Sequence, residues 1–125
     1  MSSPPPLRVV LVDDNEMYRE TLKLVFGMRD EIDVIASVST GDEAAHVCSA
    51  LAPDVVLMDY RMPGLNGAEA TRAVLDACPT TRVVCLSASV TQQEIDEVRA
   101  AGAVGCVTKD EDFDSLLATV RDAAA

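Results

Sequence analysis

The stretch "DVVLMDYRMPGLNG" (residues 54–67) decides the fold. Asp54 leads into Val55, Val56, Leu57 and Met58, a short continuous apolar run of the kind found in strands covered on both faces. The run stops at an acid, Asp59. A turn-rich segment follows, with Pro63, Gly64, Asn66 and Gly67. A buried strand therefore delivers one carboxylate to the mouth of a loop.

Short apolar runs of the same kind recur along the chain. "LRVVLV" (7–12), "IDVIASV" (32–38), "TRVVCLS" (81–87) and "AVGCVT" (103–108) are the other strand candidates. Helical segments lie between them. "TGDE" (40–43) and "TQQE" (91–94) match a capping box, in which the Thr hydroxyl and the Glu carboxylate satisfy first-turn amides. "NGAE" (66–69) is a looser version led by Asn66. Phe113, Leu116, Leu117 and Val120 make an i, i+3, i+4, i+7 stripe on the last helix. Gly27, Pro79 and Gly102 fall where helices should end. Five strands alternating with five helices predict an α/β, three-layer, doubly wound (βα)5 domain with a parallel sheet.

The length of 125 residues fits one such domain, and 49% apolar residues argue for a packed core. Residues 1–6, "MSSPPP", read as a loose tail and residues 7–125 as the domain. The net charge of −11 argues against this chain gripping nucleic acid itself, since that affinity comes mainly from Lys and Arg on phosphates. Cys48, Cys78, Cys85 and Cys106 form no CxxC pair and read as small buried hydrophobes in a reducing cytosol. The tail lacks the apolar centre of a signal peptide, and no run suits a membrane span, so a cytoplasmic location is expected.

Ligands of open parallel sheets bind beyond the carboxyl ends of the strands. Asp13 and Asp14 follow the first strand, Asp59 the third; Ser87 ends the fourth and Lys109 the fifth. Taken singly, each has a plainer reading. Asp13 or Asp14, like Asn15, could cap the first helix; Lys109 could be a surface charge; Ser87 could be a satisfied strand-end hydroxyl. Together they put three carboxylates, a hydroxyl and an ammonium on one edge. Such carboxylates repel, and some stay protonated unless a cation joins them. Mg²⁺ suits them, because it favours carboxylate and water oxygens and leaves positions for phosphate. The set points to phosphoryl transfer, with one Asp as a nucleophile that forms an acyl phosphate.

With these residues in order, the chain resembles the receiver domains of bacterial two-component response regulators. The resemblance rests on "VDD" (12–14), "LMDYRMPGLNG" (57–67), "SAS" (87–89) and "GAVGCVTKD" (102–110), and spans residues 7 to about 122. It implies a flavodoxin-like sheet of strand order 2-1-3-4-5 and phosphorylation by a sensor histidine kinase. It further implies that Asp59 is the phosphoacceptor and that Asp13, Asp14, Asp59 and the backbone carbonyl of Arg61 hold Mg²⁺. Ser87 would bond the phosphoryl group and move on activation, and Lys109 would pair with its oxygens. By this resemblance the domain is a signalling switch rather than an enzyme, catalysing only its own phosphorylation and dephosphorylation. Arg61 and Ser89 would tune the lifetime of the phosphoryl group. The pattern is most like receivers that carry a C-terminal helix-turn-helix domain, so the expected output is transcription.

Two positions depart from the family pattern. The last-strand switch position, commonly Tyr or Phe, holds Cys106, so a swinging ring cannot be the readout. Lys109 is followed by Asp110 and not by proline; without proline a cis bond costs about 2.5–4 kcal/mol, which weakens enforcement of that geometry. Cys106 is the main support for an alternative, a pseudo-receiver that interacts without phosphorylation. A Mg²⁺-dependent phosphatase is a weaker competitor, because Arg61 stands where a second acid would be needed. A flavin-type nucleotide binder is weaker still, because "DDNE" (13–16) is acidic where a phosphate cradle needs glycines and hydroxyls.

On the first helix, Tyr18, Leu22, Val25 and Phe26 form the buried stripe. Met17, Leu24 and Met28 fall on an adjacent one, read as a broad buried face, as a helix-end effect, or as a surface, with or without the last helix, for dimerisation or kinase docking.

Overall fold

Valine, isoleucine and leucine dominate the short runs, and their branched side chains suit a pleated surface buried on both sides. In the computed structural model, which describes residues 5–125, these runs become β1 (Leu7–Val12), β2 (Ile32–Val38), β3 (Val55–Met58), β4 (Arg82–Ser87) and β5 (Gly105–Thr108). The connecting helices are α1 (Glu16–Gly27), α2 (Gly41–Leu51), α3 (Gly67–Ala77), α4 (Gln92–Ala100) and α5 (Phe113–Ala124). All strand pairs are parallel, in the order β2-β1-β3-β4-β5. Of the expected tail, residues 1–4 lie outside the described residues, while Pro5 and Pro6 are exposed and belong to no regular element.

Alternate residues of each strand enter opposite cores. Val9, Leu11, Val55, Leu57, Val84 and Leu86 pack with Leu22 and Phe26 of α1 and with Leu116, Leu117 and Val120 of α5. Val10, Val12, Val56, Met58, Val83 and Cys85 pack with Ala44, Cys48, Ala70 and Val74, and with Val98 of α4. This two-sided burial is why the strands read as continuous apolar runs and not as alternating ones. The Phe26 and Phe113 rings join α1 to α5, centroids 5.0 Å apart.

The helix starts follow the capping residues. Thr91 and Asn66 form complete capping boxes with Glu94 and Glu69. Thr40 caps α2, but Glu43 turns its carboxylate to the Ser39 and Thr40 hydroxyls instead of the cap amide. Asn15, not Asp13 or Asp14, caps α1, while Asp13 Oδ1 accepts the Asn15 amide at 2.9 Å in the turn before the helix. β5 begins at Gly105, two residues later than the apolar run suggested, and the Val104 side chain is exposed. The Lys109–Asp110 peptide is trans.

The second apolar stripe of α1 faces outward. Met17, Leu24 and Met28 are 80%, 65% and 71% exposed, so the broad-buried-face reading is wrong for them. The buried face needs only Leu22 and Phe26, with Tyr18 and Val25 half-buried.

Candidate functional site

The parallel ladder itself places the polar strand-end residues. The Asp13 amide donates to the Val38 carbonyl (3.1 Å), that of Asp59 to Val12 (2.9 Å), and that of Lys109 to Ser87 (2.8 Å). Each residue is held by the last rung of a strand pair, so their side chains leave one edge in a fixed relation.

Asp13, Asp14 and Asp59 each present a carboxylate oxygen within 4.8 Å of the others. Asp13 and Asp59 are buried and Asp14 is exposed. Lys109 reaches between them, with Nζ 2.5 Å from Asp13 Oδ2 and 3.8 Å from Asp59 Oδ2. Burial pushes the Asp59 carboxyl up from 3.8 to about 6. The neighbouring Asp13 charge and a hydrogen bond shared with Asp13 add to this; Lys109 and the Tyr60 amide oppose it. One ammonium does not neutralise three acids, and the oxygen set matches what a hard divalent cation takes. The crevice beside Asp13, Asp59 and Tyr18 has a volume of about 10 Å³, about enough for one water.

Ser87 is buried at the end of β4, but its hydroxyl is turned to the Ser89 carbonyl at 3.4 Å, a long contact near the limit for a hydrogen bond. The Arg61 guanidinium pairs with Glu94 of α4 at 2.9 Å. The structure thus brings together Asp13, Asp14, Asp59 and Lys109, with Ser87 at the neighbouring strand end and the Arg61 side chain elsewhere. Cys106 pairs in register with Cys85 on β4, and burial raises the Cys85 thiol far above its ordinary range, followed by the effect of Cys106. Cys85 is buried as expected, whereas Cys106 is only half-buried and packs against the edge of the same core.

Tyr18 and Arg19 support the site in ways that escape sequence reasoning, whereas Gly67 stands in the turn that the sequence marks. Tyr18 lies under Lys109, whose Nζ is 4.4 Å from the ring centroid. Burial, then Asp13 and Asp59, push its phenol up to about 12, so it stays neutral beside the acids. Arg19 donates to the Asp13 carbonyl and, at 2.9 Å, to Ser37 Oγ, tying the β1–α1 loop to β2. Gly67 lies so close to the strand end that an added Cβ would be 2.7 Å from Tyr60 Cα and 2.9 Å from the Asp59 carbonyl oxygen. The only sequence signal for any of these is Gly67 in the turn after the acid.

Residues 9–121 match the response regulator receiver domain family. The transcriptional regulatory protein DegU of Brevibacillus brevis is 34% identical over 92% of this chain and 49% of its own length. The nitrate/nitrite response regulator protein NarL of Escherichia coli is 31% identical over the whole chain and 58% of its own length. The chain thus spans about half the length of the curated relatives it matches. The receiver domain of Mycobacterium tuberculosis NarL superposes with a TM-score of 0.91 at 32% identity, over 97% of this chain and 98% of that one. The response regulator domain of Thermotoga maritima CheB gives 0.86 at 30%, over 95% and 96%. No helix among the described residues is long and apolar enough to cross a membrane. With its parallel five-stranded sheet and acidic strand-end cluster, the chain belongs to the receiver domains of two-component response regulators.

Proposed function

We propose that residues 7–125 act as a Mg²⁺-dependent phosphoacceptor switch in which Asp59 takes a phosphoryl group from the phosphohistidine of a sensor kinase. One observation carries this reading: three carboxylate oxygens converge within 4.8 Å, with the Lys109 ammonium 3.8 Å from Asp59. An Asp59 oxygen attacks phosphorus in line, the new P–O bond forms, and the P–N bond breaks with its electron pair returning to the imidazole. Asp59 titrates near 6, so it is mostly ionised and nucleophilic at neutral pH. Mg²⁺ held by Asp13, Asp14, Asp59 and the Arg61 carbonyl would supply positive charge to the phosphoryl oxygens. Lys109 has the reach to pair with one of those oxygens. The long Ser87–Ser89 contact costs little to exchange, which supports Ser87 turning to the product. Water later hydrolyses the acyl phosphate and resets the domain.

The domain would act in the cytoplasm, upstream of transcription through a DNA-binding domain; DegU's description as a transcriptional regulatory protein supports the transcriptional output. The exposed Met17, Leu24 and Met28 stripe offers the kinase or a second copy an apolar surface. If Leu24→Asp changed neither oligomer mass nor kinase-dependent phosphorylation, that surface assignment would fall.

The test is incubation with acetyl phosphate and Mg²⁺, followed by intact mass. A phosphate-sized gain that is lost with chelator supports the reading. No gain, with no measurable Mg²⁺ affinity, would favour an interaction module that works without phosphorylation. Release of free phosphate from added phosphoesters would favour a phosphatase.

A further inference from the structure

The residue after Asp59 is tied to α4. Tyr60 is buried, and its hydroxyl donates to Glu97 Oε2 at 2.6 Å across the gap to the helix. This is a short, charge-assisted hydrogen bond. The Gly67 amide donates to the Tyr60 carbonyl at 2.7 Å, and the Gly67 backbone presses on Tyr60 Cα, leaving no room for a Cβ. Tyr60 therefore cannot slacken on its own when its neighbour changes.

Arg61 repeats the link one residue on. Its Nη2 is 2.9 Å from Glu94 Oε1, the oxygen that also accepts the Thr91 amide in the capping box of α4. It also reaches the Ser89 carbonyl at 3.4 Å, and its guanidinium carbon lies 5.8 Å from the Tyr60 ring centroid. The helix at the other end of these links is lightly anchored, with Val98 its only fully buried residue. An element with so little buried surface shifts at low cost, and side-chain ties of this kind can decide where it sits.

We propose that the Tyr60–Glu97 hydrogen bond, supported by Arg61 on the α4 cap, carries a change at Asp59 to α4, in place of the last-strand ring that Cys106 cannot supply. Tyr60 and Glu97 are positioning residues; neither side chain touches the reacting atoms. Adding a phosphoryl group to Asp59 displaces the backbone of its neighbour, and the rigid phenol passes that displacement to Glu97. This rests on Asp59 being the phosphoacceptor.

The test measures hydrogen exchange of the α4 amides before and after phosphorylation by acetyl phosphate and Mg²⁺, with intact mass on the same samples. The proteins are wild type, Tyr60→Phe, Glu97→Ala, Glu97→Gln and the Phe/Ala double variant. Wild type should show an α4 response. Tyr60→Phe and Glu97→Ala should take up phosphate like wild type and lose that response, and the double variant should lose no more than either alone. Glu97→Gln keeps an oxygen acceptor and should keep the response. A phosphorylated Tyr60→Phe protein with a wild-type α4 response would overturn the inference, as would a phosphorylated wild type whose α4 does not respond. No mass gain in wild type would overturn the phosphoacceptor reading beneath it, and the two failures are distinguished by the mass spectrum.

Discussion

Lys109 leans on Asp13, not on Asp59: its ammonium is 2.5 Å from one and 3.8 Å from the other. In this arrangement the Lys109 ammonium is held mainly by Asp13. A divalent cation on Asp13 would compete for that carboxylate and free Lys109 to move toward Asp59. Replacing Lys109 with Ala should leave the acidic cluster able to bind Mg²⁺ while slowing phosphoryl uptake by roughly 10²-fold, the usual cost of removing one preorganised charge partner. A time course of intact mass, with Mg²⁺ affinity measured separately, checks both halves.

The raised Asp59 pKa makes a stability prediction whose sign is fixed. The unfolded carboxyl ionises near 3.8 and the folded one near 6, so between those values the unfolded state loses its proton first. Without divalent cations, the Asp59 contribution therefore falls as pH rises from about 4 to about 6 and is level above that. At neutral pH Asp59→Asn should be more stable than wild type by about 2–3 kcal/mol, at 1.36 kcal/mol per pKa unit. Below pH 4 the two should converge. Urea unfolding across this range, with EDTA present, measures the difference.

Binding of Mg²⁺ to the folded form alone should reverse that penalty. At a hundredfold excess over its Kd the ion should add about 2.7 kcal/mol to wild type. Asp13→Asn and Asp14→Asn should respond much less, since each removes one of the convergent oxygens. Thermal unfolding with and without Mg²⁺ reads this directly, and a chelator should return wild type to its starting Tm.

Gly67→Ala should be destabilising by about 1–3 kcal/mol, because its Cβ has to push apart a well-packed strand end. The backbone at Tyr60 and Asp59 would have to give way, so phosphoryl uptake should fall as well. Urea unfolding and the phosphorylation time course should both show the loss. A fully stable and active Gly67→Ala protein would mean that the loop has slack the packing does not show.

Much of the fold and the core of the site could be read from sequence, for a physical reason. Strands buried on both faces leave continuous apolar runs, and the polar residue that ends each run marks the strand end. That rule picks out Asp13, Asp14, Asp59, Ser87 and Lys109, four of which the fold draws together closely. What escaped depends on contacts between distant segments. Tyr18 looks like one more member of a buried stripe until its ring is found under Lys109. Tyr60 and Glu97 are 37 residues apart, and no local pattern links them. The α1 stripe was ambiguous for another reason: periodicity shows which residues share a face, but not whether another element covers it.

The central claim is that Asp59, and not Asp13 or Asp14, carries the phosphoryl group. Protein phosphorylated with acetyl phosphate and Mg²⁺ can be reduced with borohydride, which converts an aspartyl phosphate to homoserine, and then mapped by peptide mass spectrometry. The account predicts homoserine at position 59 in wild type and none in Asp59→Asn. Homoserine at position 13 or 14, or undiminished labelling of Asp59→Asn, would contradict it.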